Sequence, residues 1–276
     1  MLKLAGMDDP LLGRPLALYD TVVTPAGEPI GVDVVYLVMG KMTRRLALFH
    51  PGQKLDVWGP LGNGFPAFRP SPPGGEMVGV RGSDSLQHAS RPSPLAPAAG
   101  RGEKMHSHLV MVAGGIGQTP FMALAREALG QRCYGEPLRI PSCLADKVTL
   151  CYGARTADYF AGLEEFRHMG IDVRLSTDDG SLGHQGLVTD VLRQVLAESP
   201  QASVVCCGPE PMMKAAAELC AHAHAPCQVS LETPMACGIG ICFSCVARVR
   251  DDAGNWDYQR TCIEGPVFDA ARIAWL

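Results

Sequence analysis

Leu109-Val110-Met111-Val112-Ala113-Gly114-Gly115-Ile116-Gly117-Gln118-Thr119-Pro120 is the stretch that decides the fold class. Five apolar residues in a row read as a parallel strand buried on both faces, because a half-exposed strand would alternate apolar and polar positions. An alanine- and leucine-rich run to about Leu129 reads as the helix that follows. Gly114, Gly115 and Gly117 sit at the junction, where small residues let a phosphate reach the backbone N–H groups of a helix N-terminus. Pro120 takes the place of the third glycine of a dinucleotide fingerprint, after Thr119. Proline suits a first helical turn, so the strand, turn and helix logic holds. Taken alone, the motif fits a purely structural turn equally well.

The residues beyond it repeat the alternation. Strands are expected over Lys147 to Gly153, Asp172 to Ser176 and Ser203 to Cys206, with helices over Leu187 to Ala197 and Met212 to about His222. This pattern predicts a doubly wound parallel sheet with ligands at the carboxyl ends of its strands. Cys207, Gly208 and Pro209 stand at such an end. Cys207 is either an inert buried thiol or part of the lining of a nicotinamide pocket. Residues 108–226 are therefore expected to form a nucleotide-binding α/β domain.

Farther on, Cys237, Cys242, Cys245 and Cys262 are spaced C-x4-C-x2-C-x16-C. That is the plant-type spacing by which four thiolates hold a 2Fe-2S cluster. Gly238 and Gly240 allow tight turns that bring N–H groups to the sulfurs. A zinc knot would show two short C-x2-C pairs instead, and buried free thiols would not crowd three to nine residues among glycines. Residues 227–276 are expected to form a small cluster-binding subdomain.

Toward the N-terminus, Leu16 to Val23, Val32 to Met39 and Lys54 to Val57 read as short strands separated by turns such as Thr24-Pro25-Ala26-Gly27 and Pro51-Gly52. They predict part of an antiparallel β-barrel over 1–65. Arg14-Pro15 sets a cation at the mouth of one strand, where it would suit a diphosphate or simply a surface turn. Residues 66–107, with Pro70-Ser71-Pro72-Pro73-Gly74-Gly75 and Pro92-Ser93-Pro94, lack apolar periodicity and read as an insertion or linker.

The 276 residues suit about two domains. A net charge of −4 without a basic run gives no reason to expect nucleic acid. No stretch approaches the ~18 unbroken apolar residues of a membrane span. Eleven cysteines without a signal segment point to reduced thiols in the cytoplasm.

These motifs together resemble the ferredoxin reductase superfamily. Gly59 to Phe65 (GPLGNGF), Ser176 to Ser181 (STDDGS), Glu232 to Cys245 (ETPMACGIGICFSC) and Cys262 to Phe268 (CIEGPVF) resemble, more closely, the electron-transfer subunits of class 1B dihydroorotate dehydrogenase. The resemblance implies FAD in the barrel, with contacts at Arg14, Pro15, Leu16 and Ala17, at Val35, Tyr36 and Leu37, and at Met42 and Thr43. Arg14 and Thr43 would hold the diphosphate. It implies NAD at Gly114 to Pro120 and Cys207 to Pro209, and an FMN-containing catalytic dehydrogenase as partner, two of each chain forming a heterotetramer. Electrons would pass between dihydroorotate and NAD through FMN, the 2Fe-2S cluster and FAD, with no residue of this chain as general acid or base. NADP stays open, since Arg155 follows a strand where a 2′-phosphate could be read. Rival readings are a reductase subunit of another redox complex and a regulatory chain that has lost FAD. The sequence departs from the family at Ala17, where a serine is usual, at Met42, where a glycine is usual, and in having only thirteen residues before Arg14. The short start leads to the expectation that Met1 is an internal methionine of a longer, N-terminally truncated protein.

Overall fold

The apolar run around Val110 lies at the middle of the largest sheet. The computed structural model describes residues 1–6, 12–65, 108–135 and 145–275. The expected insertion at 66–107, the proline-rich loop around Pro137 to Pro141 and Cys143 lie outside the described residues. N-terminal strands are β1 (Leu2–Leu4), β2 (Asp20–Val23), β3 (Pro29–Asp33) and β4 (Leu55–Val57), with helix α1 (Gly40–Leu46) between the last two. Then come β5 (His108–Gly114), β6 (Lys147–Ala154), β7 (Asp172–Thr177), β8 (His184–Gln185), β9 (Ser203–Cys207) and β10 (Cys227–Ser230). Their helices are α2 (Phe121–Ala128), α3 (Leu163–His168), α4 (Val188–Glu198) and α5 (Glu210–His222). The chain closes with β11 (Val246–Arg250), β12 (Trp256–Arg260) and β13 (Val267–Asp269).

The large sheet has the order β13-β10-β9-β5-β6-β7-β8, parallel except for β13. Successive strands therefore step one way from β5 to β7 and the other way through β9 and β10. The crevice where the direction reverses, at the carboxyl ends of β5 and β9, is where such sheets hold ligands. The apolar run is explained by two cores. Leu109, Met111 and Ala113 face one with Phe121, Met122 and Ala125 of α2, while Val110 and Val112 face another with α4 and α5. In α4, Val188, Val191, Leu192, Val195 and Leu196 repeat at helical spacing and all enter the second core. Each such side chain contributes about 1.5–3 kcal/mol on burial.

The N-terminal region departs from expectation. The strand pairing is antiparallel as expected, but among the described residues it forms two separate ladders, β1 with β4 and β2 with β3, rather than one continuous part of a barrel. The strand expected over Val32 to Met39 ends at Asp33, because Val35 packs on the nucleotide-domain core while Tyr36 packs on a small core of Leu2, Leu4, Met42 and Leu46. Gly40 at φ +71° then admits α1. The N-terminal region is fastened to the α/β domain by Asp20, which is buried and takes Arg126, Arg132 and Tyr134 onto its carboxylate. Tyr19 donates to Glu165.

His108 opens β5 in a buried position, with Nε2 2.8 Å from Thr149 Oγ1. Burial, then the charge of Lys147, pushes its pKa down to about 4. The folded state thus binds fewer protons than the unfolded chain between pH 6.5 and 4. Stability from this group is full above pH 6.5 and is lost as pH falls through that window, by about 2–3 kcal/mol. Urea unfolding of wild type and His108→Gln at pH 7.5 and 5 is expected to show a smaller loss on acidification in the variant. Equal losses would contradict it.

Candidate functional site

At the crevice, Gly115 has φ +55° and nothing within 4 Å of where a Cβ would stand. A turn with a left-handed residue facing open space leaves the backbone approachable. Gly114, Gly117 and Gly208 serve differently. A Cβ on Gly114 would meet Met212 Sδ and Pro209 Cδ at 2.6 and 2.7 Å, and one on Gly117 would strike the Cys207 carbonyl. These glycines let the loops after β5 and β9 touch. Gly115 to Gln118 form a 3₁₀ turn, with Thr119 buried and Pro120 capping α2.

Cys207 lies in register between Ala113 and Ser230. Burial, with the nearby Glu232 carboxylate, raises its thiol to about 12, while the Ser230 side chain hydrogen-bonds it. A thiol held protonated is a packing surface, not a nucleophile. Glu232 itself is raised by burial. Ser230 and Glu232 were not among the expected site residues. The one signal in the sequence is a carboxylate two residues past the end of a short strand. Arg155 is exposed just past β6.

The cysteine loop brings its four thiols together as two pairs. Cys237 neighbours Cys242 near the surface, and Cys262 neighbours Cys245 in the interior. Among the described residues no three Cys, His, Asp or Glu side chains close on one point as a single metal ion requires. Two pairs of thiols are what a two-iron cluster asks for, so the residues fit that group. Hydrogen bonds from Ser244 bring Cys242 down to about 6, and the N–H groups of Ile239, Cys242 and Ile241 lower Cys237. Ile239 N lies 3.4 Å from Cys237 Sγ. Burial, then Cys245, raises Cys262 to about 11. Donors aimed at sulfur favour the thiolate, the form that binds iron.

The residues expected to meet FAD fall on one small region. Leu16 and Tyr36 pack around the buried Met42, while Arg14 and Ala17 are exposed and Pro15 half-buried. Leu37 is exposed beyond them. Met42 points into the core, and the Thr43 hydroxyl is engaged with Met39 N at 2.7 Å and with the Met39 carbonyl. This region reaches the cysteine loop directly. Trp58 Nε1 donates to Cys237 O at 3.2 Å. Asn63 Nδ2 donates to the Glu264 and Val267 carbonyls and its Oδ1 accepts from Val267 N.

Family models match two parts of the chain: the iron-sulfur cluster binding domain of dihydroorotate dehydrogenase B over residues 232–274, and an oxidoreductase NAD-binding domain over 111–218. The dihydroorotate dehydrogenase B (NAD(+)) electron transfer subunit of Desulforamulus reducens is 30% identical over 97% of this chain and 82% of its own length. The chain belongs to the dihydroorotate dehydrogenase B electron transfer subunit family. The subunit of Bacillus caldolyticus is 34% identical over 98% of this family member and 83% of its own length. A solved structure described as an NADH-dependent reduced ferredoxin-NADP oxidoreductase, studied for flavin-based electron bifurcation, superposes with a TM-score of 0.62 at 26% identity, covering 95% of this chain and 74% of that one. The cluster-domain match in this electron transfer subunit family member spans all four cysteines, and the NAD-domain match spans both crevice loops. No helix among the described residues is long and apolar enough to cross a membrane.

Proposed function

We propose that this chain carries electrons between a catalytic subunit that oxidises dihydroorotate at FMN and NAD bound at the β5/β9 crevice. The observation that carries the reading is continuity. One stretch, Trp58 to Phe65, leaves the N-terminal region, binds the cysteine loop through Trp58 and the segment after the fourth ligand through Asn63, and ends with the Phe65 ring tilted against Phe121 at 5.8 Å between centroids, behind the crevice. Three sites held by one strut can keep fixed separations.

In this reading Gly114, Gly115, Gly117, Thr119, Pro120, Cys207, Gly208 and Pro209 form the NAD site, with Glu232 and Ser230 at its floor. The backbone at Gly115 receives the diphosphate, and the protonated Cys207 packs beside the nicotinamide. Arg14, Pro15, Leu16, Ala17, Val35, Tyr36, Leu37, Met42 and Thr43 line the FAD region, and Cys237, Cys242, Cys245 and Cys262 ligate iron. When bound, FAD supplies a hydride acceptor able to release single electrons, and the cluster supplies a one-electron carrier. The chain positions these groups and excludes water, with no proton transfer asked of its side chains.

The partner docks over the cysteine loop, where Ile239, Ile241, Phe243 and Ile263 are all exposed around Cys242. A cluster of exposed apolar side chains of this kind marks an interaction site. Two copies of each chain form the complex in the cytoplasm. The test is dihydroorotate-dependent NAD reduction by the co-expressed subunits. It is expected only when both are present, and an equal rate from the catalytic subunit alone would contradict the proposal.

A further inference from the structure

Resting on that assignment of the cluster, we infer that Arg260 is a positioning residue which fixes the Gly240–Ile241 peptide against the cluster sulfurs and thereby sets the reduction potential. Three ligands lie on the loop 237–245 and the fourth on the turn after β12. Arg260 ends β12, two residues before Cys262, and reaches across to the loop. Its Nη1 donates to the Gly240 carbonyl at 2.9 Å. Its other nitrogens fork onto Glu264, whose Oε2 also accepts from Arg260 N at 2.7 Å. The guanidinium also lies 5.1 Å from the ring of Phe243 on the same loop.

The consequence lies in peptide geometry. A trans peptide points its carbonyl and its N–H in opposite directions within one plane. Holding the Gly240 carbonyl on Arg260 therefore aims the Ile241 N–H away from Arg260, within the turn whose Ile239 N–H lies 3.4 Å from the Cys237 sulfur. Gly240, at φ +79°, is also pressed by Ile263, since a Cβ there would stand 2.7 Å from Ile263 Cγ1. Glu264 is in turn fixed by Asn63, which takes the Glu264 carbonyl at 3.1 Å. Arg260 thus joins both halves of the ligand set through groups that are not ligands. Hydrogen bonds to sulfur and a nearby positive charge both favour the reduced cluster, which carries the extra electron.

The test is anaerobic redox titration of the purified chain followed by electron paramagnetic resonance, for wild type, Arg260→Gln, Arg260→Lys and Glu264→Gln, with circular dichroism of each. Arg260→Gln is expected to shift the midpoint to more negative values and alter the resonance of the reduced cluster. Arg260→Lys, which keeps the charge but loses the fork, is expected to shift less. Glu264→Gln is expected to shift in the same direction by loosening the guanidinium. Loss of iron from a variant that keeps wild-type circular dichroism also supports the inference, because the clamp is then needed to hold the ligand set. Unchanged midpoints and spectra in all three variants would overturn it, as would unfolding of all three, which would make Arg260 a residue of the fold alone. A wild-type chain without a 2Fe-2S spectrum would instead overturn the cluster assignment on which this rests.

Discussion

Replacing Cys262 with alanine is expected to abolish the iron-sulfur absorption and to cut electron transfer to the catalytic subunit by about 100-fold or more, while NADH oxidation with an artificial acceptor that draws on flavin continues. Cys262 is 1% exposed and pairs with Cys245, so its loss leaves one iron with a single protein thiolate. The four cysteines of the second core offer no substitute. Cys151, Cys206, Cys220 and Cys227 are buried in the core behind β5 and β9, where burial keeps Cys151 protonated up to about 12 and Cys206 beyond its ordinary range. Cys227→Ala is therefore the matched control: it empties a small core volume and should leave the absorption intact. Absorption lost equally in both variants would mean that instability, not ligation, was being read.

Gly117→Ala is expected to have the next largest effect, lowering stability by about 2–3 kcal/mol, as for an overpacked core, and weakening NADH binding by roughly tenfold or more. The added carbon has nowhere to go: it would strike the Cys207 carbonyl and stand 2.8 Å from Gly208 Cα, both backbone atoms. Relief requires the loops after β5 and β9 to part, and those loops form the crevice. Gly115→Ala separates this from a general glycine effect. Position 115 has open space, so its cost in stability is the left-handed backbone alone, about 1 kcal/mol. Calorimetry of the two variants would show the ordering in stability, and a milder loss at 117 than at 115 would contradict the account.

The parts legible in sequence were those governed by local rules. The unbroken apolar run at 109–113 required a strand buried on both faces, and α4 announced itself through its periodic valines and leucines. The cysteine spacing itself is the plant-type pattern of four thiolates around a 2Fe-2S cluster. What stayed hidden depended on contacts distant in the chain. Val32 to Met39 has the composition of one strand, yet it divides because Val35 and Tyr36 belong to different cores. The hairpin of β11 and β12 enters neither core along β12, three of whose five residues are exposed; its register is held by backbone pairing and by Asp251 capping the turn at Ala253 and Asn255. The glycines of the crevice were legible as glycines, but only packing shows that Gly115 faces open space while Gly114 and Gly117 bring two loops together. Asn63 and Arg260 carried no local signal, since their partners lie 204 and 20 residues away.

The most direct measurement of the central claim is the anaerobic visible and paramagnetic resonance spectrum of the purified chain before and after adding NADH. The account predicts flavin and 2Fe-2S bands that both bleach, together with a resonance from the reduced cluster, because crevice, FAD region and cysteine loop are held by one strut. Bands that are present but unchanged by excess NADH would contradict it.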